Sequence, residues 1–346
     1  MISAIPTTAR VRGRLAVAML LGLAACTPRQ PPALRAFTPV GRFDERVRVL
    51  ALEPGVTATL VAPARLDPHR RVELVLYALP NGNTTAQTIG RTIRDSTEWR
   101  YDIQHIGAQT RALRARGLTQ AVVAYLEADT KSWPEWRRRL GYERANRRIV
   151  AMVDELRAAI GNPPDLAVTL TGHSGGGSFA WGFLDGQDAL PDWLARIAFL
   201  DSNYSFEPRH GETIDAWLER DAAHTLVVLA YDDREIRLDG KKVVSDSGGT
   251  WRASQRMLDA FRGRFAFTGD SLGPFLRFRA PQIEILLHPN PANRILHTEL
   301  IGEMNGYMHA MLVRRPSDDG AAPVLREGRA YARWIDGPVA LPPATR

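Results

Sequence analysis

The 346-residue chain contains one cysteine, Cys26, and three lysines, Lys131, Lys241 and Lys242. A lone cysteine closes no intramolecular disulfide, so stability has to come from core burial. No apolar run approaches the roughly 18 residues that span a bilayer. H-E-x-x-H, clustered Cys/His and Asp-rich loops are missing, so no metal is expected. The glycine runs lack both the Lys-Ser/Thr of a phosphate loop and the G-x-G-x-x-G spacing, so no nucleotide cofactor is expected either. The formal charge of +7 includes Arg10, Arg12 and Arg14; without those three arginines it is +4. With so modest an excess, and no basic block flanked by aromatics, nucleic acid is not an expected partner.

What is present divides into a leader and a globular body. Arg10, Arg12 and Arg14 precede the apolar stretch Leu15 to Ala25, too short to span a membrane comfortably, and Cys26 follows at once. Leu23-Ala24-Ala25-Cys26 resembles a bacterial lipobox. The resemblance implies a signal peptide over 1–25, acylation of Cys26 and a membrane anchor in the cell envelope. Thr27 stands where aspartate would favour retention in the inner membrane, so the outer membrane, facing the periplasm, is the expected site. Residues 26–50, with Pro28, Pro31, Pro32 and Pro39, read as a tether, and 51–346 as a single domain.

The most informative stretch is Leu166 to Gly177. An apolar, β-prone run, 166–171, leads into Gly172-His173-Ser174-Gly175-Gly176, and 178–184 can form a helix ending near Gly186. G-x-S-x-G between a strand and a helix is the turn that holds a serine out on a strained corner, and its glycines remove Cβ atoms that would collide there. On these residues the chain resembles the α/β-hydrolase superfamily, which implies a mostly parallel central sheet with helices on both faces. The rest of the sequence agrees. Apolar strands at 56–62, 71–79, 120–126, 196–200, 225–230 and 283–287 alternate with helical patterns at 106–114, 135–160 and 251–265, and 324–335 reads as a terminal helix.

A serine hydroxyl needs a base, and the base a carboxylate. In this superfamily the order is Ser, acid, His, each past the carboxyl end of a strand. Asp232 and Asp233 follow the strand at 225–230, the usual acid position, with Asp233 preferred because it lies further into the loop. Asp201, after the preceding strand, is the minority position. His297 and His309 are the two candidate bases, with His288 behind them, while His173 inside the elbow is expected to pack beneath the turn. The resemblance also places oxyanion donors at the backbone N–H of Gly175 and at Asn83 or a neighbour, in the turn Pro80 to Thr85. The expected activity is hydrolysis of a carboxylic ester through an acyl-enzyme on Ser174. A peptidase or acyltransferase using the same triad, or a non-catalytic envelope lipoprotein, is the alternative.

Overall fold

A computed structural model describes residues 1, 34, 36–52, 54–315, 325 and 328–345. Cys26 and the leader lie outside the described residues. Among those described, no helix is long and apolar enough to cross a membrane.

Eleven strands form one sheet. Its first part contains β1 (Thr38–Val40), β2 (Glu45–Leu52), β3 (Val56–Pro63), β4 (Glu73–Ala78), β5 (Ala121–Ala128) and β6 (Ala167–His173). Beyond these come β7 (Leu194–Leu200) and β8 (Thr225–Tyr231). A small separate hairpin, β9 (Arg237–Leu238) and β10 (Lys241–Lys242), precedes β11 (Thr268–Leu272), β12 (Phe275–Ala280) and β13 (Ile283–His288). The order across the sheet is β1-β2-β3-β5-β4-β6-β7-β8-β13-β12-β11. From β5 through β13 every neighbouring pair is parallel, and antiparallel strands occupy both margins. This is the α/β-hydrolase fold, with helices over both faces of a mostly parallel sheet.

The helices are α1 (Thr85–Ile89), α2 (Ile106–Ala115), α3 (Trp133–Leu140), α4 (Tyr142–Ala159), α5 (Gly177–Asp185), α6 (Pro208–Arg220), α7 (Thr250–Arg262) and α8 (Gly306–Leu312). Alternation along β4 shows how the sheet serves two cores. Leu74, Leu76 and Ala78 face one cluster with Trp136, Ile149, Phe179, Trp217 and Met257. Val75, Tyr77 and Leu79 face the other with Ile106, Leu113, Tyr307 and Met308. A strand covered on both faces has no solvent side, which is why β4 reads as an unbroken apolar run.

Three sequence expectations change, and one element was not foreseen. Residues 38–50, expected to belong to the tether, carry β1 and most of β2, so the sheet begins before residue 51. The run Glu45-Arg46-Val47-Arg48-Val49 hid a strand because its buried positions include Glu45, which is held by Arg111 and Arg114 at 2.7 and 2.6 Å. The helix read over 135–160 is two, broken at Gly141, whose φ of 84° leaves the helical region. Of the terminal helix read over 324–335, the described residues hold only a 3₁₀ turn, Ala332–Trp334, preceded by Gly328 at φ 90°. The hairpin β11–β12 was not foreseen: β11 is polar and exposed, and in β12 the apolar residues are interrupted by Arg277 and Arg279, so no apolar run could be read.

Candidate active site

All seven residues of β6 are buried, and the chain leaves it at Ser174 with φ 54°. A non-glycine residue in that region costs about 1–3 kcal/mol and persists only where its surroundings impose it. Here they do. A Cβ on Gly172 would stand 2.8 Å from the Ala78 carbonyl oxygen, one on Gly176 2.2 Å from the same oxygen, and one on Gly177 1.9 Å from the Ser202 carbonyl oxygen. The elbow is therefore pressed against the end of β4 on one side and the exit of β7 on the other. Only glycine permits that approach.

Strand register determines which carboxylate meets the histidine. His173 pairs with Leu200 across the parallel β6–β7 ladder, so Ser174 and Asp201, the next residues on each strand, leave the sheet side by side. Asp201 is fully buried, and its N–H donates to the Leu229 carbonyl at 2.8 Å. Its Oδ2 is hydrogen-bonded to Nδ1 of His297, and its Oδ1 accepts the Thr250 hydroxyl. Asp201, the minority position, thus holds His297.

The preferred residues do other things. Asp232 turns to Arg234, accepting Nε at 2.8 Å and Nη2 at 2.7 Å, and Asp233 accepts the Thr250 backbone N–H at 2.9 Å. Burial, followed by the neighbouring Asp201 carboxylate, pushes the Asp233 carboxyl up to about 6.

His297 lies nine residues beyond the end of β13, with its side chain partly exposed. Its ring lies 4.4 Å from that of His173, centroid to centroid. His173 Nε2 and the His297 carbonyl oxygen are 2.9 Å apart. Burial drives the His173 imidazole well below its ordinary pKa, so the ring is neutral, and a carbonyl partner requires the proton on Nε2. His173 therefore does more than pack beneath the turn: it pins the backbone of the loop that carries His297.

His309 is not in this site. It sits in α8, fully buried, with Nε2 2.6 Å from Glu284 Oε1. Glu284 is near the start of β13 and His288 at its end, so the pair lies roughly 13 Å down the strand at about 3.3 Å per residue. His288 accepts the Asn290 N–H on Nδ1 at 2.9 Å and stacks edge-on with Phe275.

The turn after β4 reaches the elbow, though not as expected at Asn83. Asn81 lies directly against Gly175, where a Cβ would fall 2.0 Å from its Oδ1. The Gly82 N–H donates to the Lys131 carbonyl at 2.8 Å. The Asn83 N–H donates at 3.3 Å to the Pro80 carbonyl within its own turn, while its side-chain Nδ2 is buried with no partner. Gly175 stands in the first turn of the 3₁₀ segment Ser174–Gly176, where backbone N–H groups have no intrahelical acceptor.

Sequence reasoning missed two residues. Tyr204 follows Asp201 by three positions, and its hydroxyl has the Ser174 side chain as a hydrogen-bonding neighbour. Tyr204 is 39% exposed overall, but at its hydroxyl desolvation, then Asp201 and Asp233, push the group well above its ordinary pKa and keep it protonated. Thr250, the first residue of α7, bonds both carboxylates. Neither carries a motif; each is recognisable only once the strand exits are known to converge. Among the described residues, no group of three or more His, Cys, Asp or Glu is placed to hold a metal ion.

No protein-family model matches the chain, and no curated protein matches it in sequence. Several solved structures resemble it at low identity. A cold-adapted esterase from an Arctic intertidal metagenomic library is 15% identical, with 73% of this chain and 89% of that one covered and a TM-score of 0.36. The LpqC poly(3-hydroxybutyrate) depolymerase from Bordetella parapertussis is 17% identical, with 85% and 94% covered and a TM-score of 0.43. The feruloyl esterase module from Clostridium thermocellum is 11% identical, with 80% and 93% covered and a TM-score of 0.41.

Proposed function

We propose that this protein is a serine hydrolase acting on carboxylic esters, with Ser174 as nucleophile, His297 as base and Asp201 as the carboxylate that orients the base. The observation that carries this reading is the meeting of three strand exits. A serine on a strained elbow, the aspartate level with it on the next strand and the histidine bonded to that aspartate come together at the carboxyl edge of a parallel sheet. His297 takes the Ser174 proton as Oγ bonds to the acyl carbon, then returns it to the departing alkoxide; water, activated by the same ring, cleaves the acyl-enzyme. Asp201 on Nδ1 leaves Nε2 free to act as the base. The Gly175 N–H stabilises the developing oxyanion, a donor of a kind worth roughly 3 kcal/mol of barrier.

A fluorophosphonate probe followed by peptide mass spectrometry is expected to place the adduct on Ser174 and to leave Ser174→Ala unlabelled. Folded wild-type protein that takes up no probe would end the reading.

We also infer, from Leu23-Ala24-Ala25-Cys26 and the arginine-led apolar stretch before it, that the protein is exported and held in the bacterial envelope by lipid on Cys26. The outer membrane is favoured by Thr27. Expressed in a bacterial host with an alkyne fatty acid, the protein is expected to incorporate label that is lost in Cys26→Ala; label retained in the variant would refute the anchor.

A further inference from the structure

We propose that Asp233 is a positioning residue of the same centre, a second carboxylate that acts on His297 through Thr250 and Asp201. The inference rests on the triad reading above.

Thr250 is the clamp. Its hydroxyl donates to Asp201 Oδ1 and its backbone N–H to Asp233 Oδ2, so a single residue at the start of α7 fixes the carboxylates leaving two adjacent strands. Space has been left for this arrangement. Gly249, at φ 94°, precedes Thr250, and a Cβ there would fall 2.5 to 2.8 Å from the Asp233 carboxyl atoms. Asp233 is 3% exposed, and its second oxygen, Oδ1, is buried with no partner. A carboxylate retained only to cap α7 would need neither that burial nor the proximity to Asp201; a solvated acid or a neutral amide would serve as well.

The groups around Asp233 are predominantly acidic. Asp201 faces it from the exit of β7, Asp232 adjoins it, and the Tyr204 and Tyr231 hydroxyls both respond to it. Arg234 responds to it as a cation, but its guanidinium is committed to Asp232. His297 occupies the far side of Asp201. Burial and Asp201 together bring Asp233 to about 6, inside the working range of a histidine base. Above that pH, two negative charges face the imidazolium that forms when Ser174 is attacked or labelled. Below it there is one.

The test uses the pH dependence of Ser174 labelling by a fluorophosphonate, which requires no knowledge of the natural ester. Asp233→Asn keeps an acceptor for the Thr250 N–H and removes the charge. Labelling of the variant is expected to be slower by about tenfold above pH 7, with the acid limb of its pH–rate profile displaced to lower pH. A profile that superimposes on that of wild type would overturn the proposal. If wild type itself fails to label, the triad reading falls instead.

Thermal melting gives a second readout. A carboxyl raised from 3.8 to about 6 on folding contributes stability that is complete below its unfolded value and is lost as pH rises through 6. Asp233→Asn should therefore gain in Tm relative to wild type at pH 8 but not at pH 4. A Tm difference that is flat across this range would likewise overturn the proposal. Should the asparagine variant fold poorly, Thr250→Val, which keeps the N–H and deletes the hydroxyl link, is expected to slow labelling above pH 7 in the same direction; an unchanged rate counts against the link.

Discussion

His297→Ala is expected to fall to the activity of Ser174→Ala, a loss of about 10⁴ to 10⁶ in kcat, because a nucleophile and its base act as one unit. His309 provides the contrast. Its ring is paired with Glu284 inside the second core, at the other end of β13, and touches none of the reacting groups. Removing it leaves a buried carboxylate without its closest partner. His309→Ala is therefore expected to lower unfolding stability by about 3 kcal/mol while the folded fraction keeps its turnover. Active-site titration with the fluorophosphonate, combined with urea unfolding, separates the two effects. Folded His309→Ala protein as inactive as Ser174→Ala would move the base to α8. Near-native turnover in both histidine variants would dismantle the triad.

The second large effect is steric. Gly177→Ala puts a methyl group 1.9 Å from the Ser202 carbonyl oxygen and 2.8 Å from its carbon, atoms of a backbone that cannot rotate away. Either α5 lifts off the exit of β7 or the Asp201–Ser202 turn is displaced. Each outcome separates Ser174 from the Asp201 side of the site. We expect a loss of roughly 3 kcal/mol in stability and little or no labelling at Ser174 in whatever folds. Gly337→Ala, where no atom lies within 4 Å and φ is not positive, should stay within about 0.5 kcal/mol of wild type. A Gly177→Ala protein with the wild-type melting temperature would show that the elbow is less tightly confined than its contacts indicate.

These cases also show what could be read before the structure was known. The elbow was legible because its requirements are local: an apolar strand, a serine, and glycines where a Cβ would strike backbone. The acid was not. Asp233 and Asp201 both follow strands, and choosing between them depends on register: the pairing of His173 with Leu200 sets Asp201 beside Ser174. Position along the chain favoured the exit of β8, whereas His297 is bonded to the carboxylate at the exit of β7. His309 stayed in contention because Asn305-Gly306 reads as a helix terminator with His309 opening the next element, and the sequence does not say which end of the sheet that element covers. The early strands escaped notice for an electrostatic reason, since Glu45 reads as a surface residue until its two arginines, 66 and 69 positions away, are in view.

In the proposed mechanism, the bond between His173 and the His297 carbonyl bears on the second half of the cycle. Once Ser174 is esterified, its Oγ has no proton to offer the imidazole, and a base held only by its nucleophile would be released at that moment. His297 has two independent moorings, Asp201 on Nδ1 and His173 on the main chain, and neither involves the serine oxygen. On the proposed mechanism the acyl intermediate thus keeps its base in place for the incoming water.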